Sequence, residues 1–161
     1  MFHSDKYAEG WNTEGYLDEL MERFKNVGPQ PMTLVKKITQ WRMWVLCDRE
    51  PIKKWSMGRF TLLGDSARPL LQYFAQDACM AIEDAVCLAD KLEAADGYFA
   101  TAFLAYQQER YLRTARVQLM ARFLGDVYHA ADVQRELCKK LLGARTPEKE
   151  NEGLAWLYAG P

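Results

Sequence analysis

Apolar residues recur along this chain mostly at helical spacing and only rarely in alternation. Residues 1–12 mix polar and aromatic side chains without a period. From Thr13 a helix is expected, because Leu17, Leu20, Met21 and Phe24 are three or four residues apart or adjacent, and Gly28 marks its stop. Pro29 and Pro31 interrupt the pattern, and the run PMTLVKKI predicts a short helix opening on its proline. The run QWRMWVLC, Gln40–Cys47, is aromatic and β-branched enough for a strand, and Arg59–Leu63 predicts a second one after Trp55 and Gly58. A long irregular stretch then leads to a helix over Ala78–Leu92. Its Met80, Ile82, Ala85, Val86, Leu88 and Ala89 suit burial on several sides. Asp96–Gly97 predicts a turn, and Tyr98–Leu124 a long helix with Phe99, Phe103, Tyr106 and Leu112 on one side and Arg110, Arg113, Arg116 and Arg122 on the other. A further helix is expected over Ala130–Leu142, ending at Gly143. The tail holds Pro147 and an apolar cluster of Leu154, Trp156, Leu157 and Tyr158.

The predicted class is therefore α+β and α-rich, with a few short strands and three or four main helices. Two or three short strands do not make a self-sufficient sheet, since strands need partners and a covered face. The sheet reads as cut from something larger.

Charge narrows the partners. With 21 Lys and Arg against 22 Asp and Glu, the net charge is −1, which implies no broad attraction to nucleic acid or an anionic membrane. No apolar run approaches the roughly 20 residues of a membrane span. The opening MFHSDKYAEG lacks the pattern of a secretion signal, so a cytoplasmic protein is expected. Cys47, Cys79, Cys87 and Cys138 are scattered, without the close pairs of a zinc site. Each lies among apolar neighbours and reads as a reduced, core-type thiol; no metal is expected.

The chemistry concentrates in GRFTLLGDSARPLLQYFAQDACMAIEDA, residues 58–85. Here an apolar strand ends in Gly64 and Asp65, an irregular loop follows, and a helix begins. Two readings stand side by side. Gly64–Asp65 is a simple turn with Asp65 capping the loop, or Asp65 accepts hydroxyl hydrogen bonds from a sugar-like ligand chain. In the second reading the helix N-terminus offers unpaired N–H groups and partial positive charge to an electron-rich ligand edge.

The pair GRFTLLGDSARP and QYFAQDACMAIEDAVCLADKL resembles the C-terminal flavin-contacting motif of single-component FAD-dependent aromatic hydroxylases. The nearest likeness is to the salicylate hydroxylase and 3-hydroxybenzoate 6-hydroxylase group, whose pattern reads GDAAHP and then QGACMAIEDA. WRMWVLCDREPIKKWSMGR upstream and AYQQERYLRTARVQLMAR downstream look similar to the same group, so the resemblance covers nearly the whole chain. It implies NAD(P)H- and O2-dependent hydroxylation of a salicylate- or hydroxybenzoate-like ring. It also implies that Asp65 binds the ribityl part of FAD and that the backbone of Asp77, Ala78 and Cys79 approaches the pyrimidine edge of the flavin. Gln72 would face the aromatic substrate. Residues 1–58 then read as a remnant of the substrate-domain sheet and its helix, 59–125 as the flavin-contacting part, and 126–161 as C-terminal helices and tail.

Three departures accompany the likeness. The GxGxxG of a Rossmann unit, which holds the ADP half of FAD, is absent from these residues. Arg68 stands where the motif has histidine, and Asp77 where it has glycine. A side chain at Asp77 would crowd the ring, and its carboxylate would repel a reduced anionic flavin. The expectation is a truncated fold, inactive alone, with FAD absent or weakly bound, completed by a separate N-terminal Rossmann polypeptide or by homo-oligomerisation over exposed Trp41, Met43, Trp44, Val45, Phe60, Leu62 and Leu63. The alternative is a non-catalytic remnant or oligomerising module that binds no flavin.

Elsewhere the plainer readings prevail. Trp41, Trp44 and Trp55 are expected in the core or on a packing face. His3 and His129 have no readable catalytic partner. Glu83 and Asp84 read as early-helix acids and ion-pair partners, the arginine set as a solvated or domain-facing helix side, and Met80 and Met120 as gap-filling core.

Overall fold

The computed structural model describes residues 13–159, so His3 lies outside the described residues. The chain falls into two compact units divided between Leu46 and Cys47.

The first unit holds strand β1 (Thr13–Gly15), helix α1 (Leu17–Arg23), helix α2 (Pro29–Lys37) and strand β2 (Trp41–Met43). The two strands pair antiparallel, Thr13 opposite Met43 and Gly15 opposite Trp41. The helix expected from Thr13 thus begins only at Leu17. Gly15 explains the late start: a Cβ there would lie 3.2 Å from the Cβ of Trp41, so the glycine serves close strand pairing. Helix α2 opens on Pro29, two residues before the Pro31 at which the run PMTLVKKI predicts its start. Among the described residues, pairing of the predicted Gln40–Cys47 strand covers Trp41–Met43, opposite Thr13–Gly15.

The second unit begins with a two-stranded hairpin, β3 (Ser56–Met57) and β4 (Phe60–Thr61), turned at Gly58 with φ +58°. It continues through 3-10 turns at Gly64–Ser66 and Gln72–Phe74. Helices α3 (Asp77–Ala94), α4 (Phe99–His129), α5 (Asp132–Gly143) and α6 (Pro147–Tyr158) follow. Asp96 and Gly97 both take positive φ and turn the chain from α3 into α4. The fold is helix-rich with two small antiparallel sheets.

Helix α4 runs past the predicted end at Leu124. Gly125 normally weakens a helix, but here it is required: a Cβ would sit 2.7 Å from the Tyr73 ring. The tail is itself a helix, α6. Pro147 occupies its first turn and the Thr146 hydroxyl accepts from the Lys149 N–H.

Two apolar clusters hold this unit. Trp55, Ala67, Cys87 and Tyr106 form one, and Leu70, Met80, Val117 and Leu157 the other. Of the predicted tryptophans, Trp55 is buried against Tyr106, Trp41 is half-buried and Trp44 is exposed. The cysteines are all free, but only Cys87 is buried; Cys47 and Cys79 are exposed, contrary to a set of four core thiols. Their position on the outward side of their segments overrides their apolar sequence neighbours.

The arginine face of α4 also departs from expectation. Arg110 is fully buried, Arg113 is half-buried, Arg122 pairs with Asp48 and Glu50, and Arg116 lies over the Trp156 ring at 3.8 Å. It is an ion-pairing face rather than a solvated one, because acids on α3 and in the 48–50 segment meet it.

Candidate functional site

The site grows out of the turn after β4. Gly64 takes φ +59°, a conformation costly for residues with a side chain. Ser66 secures the turn in both directions: its hydroxyl donates to the Leu63 carbonyl (2.7 Å) and accepts from the Leu63 N–H (3.1 Å). The Gly64 N–H donates to Asp84 Oδ2 across 3.3 Å. Arg49 donates to the carbonyls of Ser66 and Ala67, and Gln118 Nε2 donates to the Pro69 carbonyl at 3.1 Å. The loop is thus held by side chains on both flanks and is not a slack connection.

Asp84 is the anchor. It is fully buried on α3 and accepts from Arg68 Nη2, from Arg110 Nε at 2.8 Å and from Gly64. Glu83 beside it takes both Arg113 Nε and Nη2 at 2.7 Å, and Arg110 Nη1 lies 2.8 Å away. Burial works against the Glu83 carboxylate, yet the arginine hydrogen bonds outweigh it and hold the group below its ordinary pKa. Arg113 also donates to the carbonyls of Trp156 and Leu157 in the last turn of α6. Alternating charges therefore run from the Gly64 turn through Arg68, Asp84, Arg110, Glu83 and Arg113 to the C-terminal helix. Glu83 and Asp84 are ion-pair partners, as their sequence suggests. The rest of the network was not read from sequence; its signal was the spacing of Arg110 and Arg113 on one helix against adjacent acids on another.

A second turn, Gln72–Phe74, precedes α3. Phe74 meets Trp156 (6.4 Å between centroids), and the Tyr73 hydroxyl lies 2.7 Å from His129 Nε2. Ala75 then takes a left-handed conformation, φ 51° and ψ 39°, uncommon for a residue with a Cβ. Directly after it, α3 starts without a side-chain cap: Gln76 makes no capping hydrogen bond.

The predicted site residues divide accordingly. Asp65 lies exposed in the first turn, and Ala78 and Cys79 are exposed at the bare N-terminus of α3. Asp77 is half-buried at the first helical position, and its Oδ1 is buried without a hydrogen-bond partner. Burial raises the Asp77 pKa above its ordinary value; the charge of Asp65 adds to this and Arg68 opposes it. Asp65, Arg68 and Asp77 thus act on one another. Gln72 is exposed in the second turn, and among the described residues no hydrogen bond ties it to Asp65 or Asp77. No group of three or more His, Cys, Asp or Glu among the described residues is placed to hold a metal.

Comparison with known proteins gives this geometry a context. No protein-family model matches the chain. The chain is 43% identical to a 3-hydroxybenzoate 6-hydroxylase of Klebsiella oxytoca over 157 residues, which is 98% of this chain and 40% of the relative. It is 44% identical to the protein of that name from Polaromonas naphthalenivorans, over 98% of this chain and 39% of the relative. In each case the matched part is the C-terminal portion. In sequence, the chain corresponds to the C-terminal portion of an FAD-dependent aromatic hydroxylase.

The fold agrees. A salicylate hydroxylase in a substrate complex superposes with a TM-score of 0.76 at 27% identity, covering 99% of this chain and 38% of that one. Klebsiella pneumoniae HpxO complexed with FAD and uric acid does so with a TM-score of 0.76 at 28% identity, over 90% of this chain and 38% of that one. The chain spans about 40% of the length of the hydroxylases it matches. Among the described residues no helix is long and apolar enough to cross a membrane.

Proposed function

We propose that this chain forms the flavin-ring and substrate-facing part of an FAD-dependent hydroxylase acting on a salicylate- or hydroxybenzoate-like ring. The observation that carries the reading is the Gly64–Ser66 turn, hung on buried Asp84 beside the uncapped N-terminus of α3. Asp65 would hold the ribityl hydroxyls of FAD, the Ala78 and Cys79 N–H groups would donate to the pyrimidine edge, and Gln72 would face the aromatic ring. When bound, FAD supplies the redox chemistry that activates O2 with electrons from NAD(P)H. The chain's own residues bind and orient. A rigid turn and a fixed helix N-terminus place hydrogen-bond donors before the ring arrives, so little ordering cost remains for binding.

The fit is incomplete at Asp77, whose carboxylate occupies the position where the hydroxylase motif has glycine. A flavin affinity well below that of a whole hydroxylase follows. The exposed apolar residues of α3 and the hairpin, Ile82, Val86, Met57 and Phe60 among them, support a further element of this reading. They would be covered by the remainder of a hydroxylase or by a second copy of the chain. Flavin fluorescence titration tests the reading. Weak saturable binding that Asp65→Ala abolishes supports it, whereas equal binding by both forms overturns it.

A further inference from the structure

Two of the positions at which this chain departs from the hydroxylase motif, Arg68 and Asp77, carry buried polar atoms without partners. Arg68 is buried, and only its Nη2 is engaged, by Asp84; Nε and Nη1 have no hydrogen-bond partner. Asp77 Oδ1 is equally unpaired. Unsatisfied buried polar groups cost stability, so both positions carry an unmet demand for a hydrogen-bond partner. We propose that Asp77 makes entry of a flavin ring at the N-terminus of α3 depend on a proton: ionised it closes the position, and protonated it admits the ring. This rests on the flavin reading given above.

The chemistry follows from what each form offers. A carboxylate is an acceptor only, and it meets the electron-rich pyrimidine edge with like polarity. The neutral acid carries an O–H that can donate to that edge, beside the N–H groups of Ala78 and Cys79. Burial and the charge of Asp65 raise the Asp77 pKa, and Arg68 restrains the rise. Of the charged groups packed against α3 from α4, Arg110 and Arg113 are engaged by Asp84 and Glu83, and Glu109 is paired with Lys91. Asp65 and Arg68 are left as the groups that set the charge of Asp77.

Riboflavin is the probe, because it keeps the ring and ribityl chain and lacks the phosphates that would bring their own charge. Its affinity for the full chain is measured by fluorescence at about pH 5, nearer the carboxyl range, and at about pH 8, where carboxyl groups are ionised. The wild-type chain is expected to bind roughly tenfold tighter at the lower pH, a factor equal to about one unit of linked pKa shift. Asp77→Asn, which keeps the bulk and removes the charge, is expected to bind with the tight value at both. By reciprocity, riboflavin should raise the midpoint of the Asp77 carboxyl resonance in an NMR titration. A wild-type affinity indifferent to pH, or a slope that survives in Asp77→Asn, overturns the proposal. So does binding restored by Asp77→Gly and not by Asp77→Asn, since bulk and not charge would then close the site. Absence of riboflavin binding in all three forms at both pH values removes the flavin reading itself, and the proposal with it.

Discussion

The two faces of α3 invert the usual division between inside and outside. Toward α4 the helix presents Met80, Asp84 and Cys87, and the largest part of what it buries there is charge: Asp84 with Arg68 and Arg110. The opposite face, Ala78, Ile82, Ala85, Val86 and Ala89, is apolar and open, with Ile82 66% exposed. A lone globular domain selected for stability would gain by exchanging the two, because ion pairs seldom repay their desolvation and exposed apolar surface invites association. The difference teaches what each face is for. The buried charges tie the Gly64–Ser66 turn to a rigid helix pair, and the open face is apolar surface left uncovered among the described residues.

Removing the anchor is the most severe way to break this contrast. Asp84→Asn leaves Arg68 and Arg110 buried without their carboxylate, and taking away one partner of a buried ion pair costs about 3–5 kcal/mol. Urea denaturation followed by circular dichroism should show that loss. A change below about 1 kcal/mol would mean that the network is solvated and that the inner face is ordinary surface.

Gly125→Ala comes next. The new Cβ would lie 2.7 Å from Tyr73 Cε2 and 2.9 Å from Cδ2, so the ring must move or α4 must bend. Overpacking of this kind costs about 1–3 kcal/mol, and the better helix propensity of alanine returns about 1. A net loss of up to about 2 kcal/mol is expected, along with loss of the Tyr73–His129 contact. Thermal melts and the His129 ring resonances report the two effects separately. An unchanged melt with a displaced ring would show that the second turn is not held by this packing.

How much of this was readable beforehand depended on distance along the chain. The helices were legible because their apolar periods are local, and the Gly64–Asp65 turn because glycine and strand end sit together. Asp65, Asp77, Ala78 and Cys79 could be nominated from the motif they resemble. That Arg68 and Arg110 meet at one carboxylate could not, since the two arginines are separated by 16 and 26 positions from that acid. Strand β1 was concealed for a related reason: Thr13–Gly15 carries no strand pattern and becomes one only opposite Trp41. Gly125 reads as a helix end until Tyr73, 52 positions earlier in the chain, is known to rest on it.

Asp77 offers a smaller, pH-dependent test of the boundary between the faces. Its folded pKa is raised, by burial first and by Asp65 second. An acid with a raised folded value carries no penalty below its ordinary pKa. The penalty grows between the ordinary and the raised value, and it is complete above the latter. Asp77→Asn should therefore stabilise the chain at neutral pH, by less than the changes above because the residue is only half-buried. The gain should fade as the pH falls through the carboxyl range. Denaturation midpoints for both forms at neutral and acid pH decide it; a gain that persists in acid would trace to packing and not to charge.

The smallest expected effect belongs to the open face. Ile82 and Val86 stand four positions apart on α3, 66% and 57% exposed, so replacing either with glutamine removes little buried area. Surface substitutions of this kind stay within about 0.5 kcal/mol in a monomer. If the face is covered by a second copy, the same substitutions act on association instead. Each large apolar side chain withdrawn from water contributes about 1.5–3 kcal/mol, enough to shift a dimerisation constant more than tenfold. Sedimentation equilibrium over a wide concentration range, on the chain and on Ile82→Gln, separates the two. Association weakened by Ile82→Gln, with the chemical denaturation of the dilute chain unchanged, is the expected result. A monomer at every concentration would mean that a second copy of the chain does not cover this face.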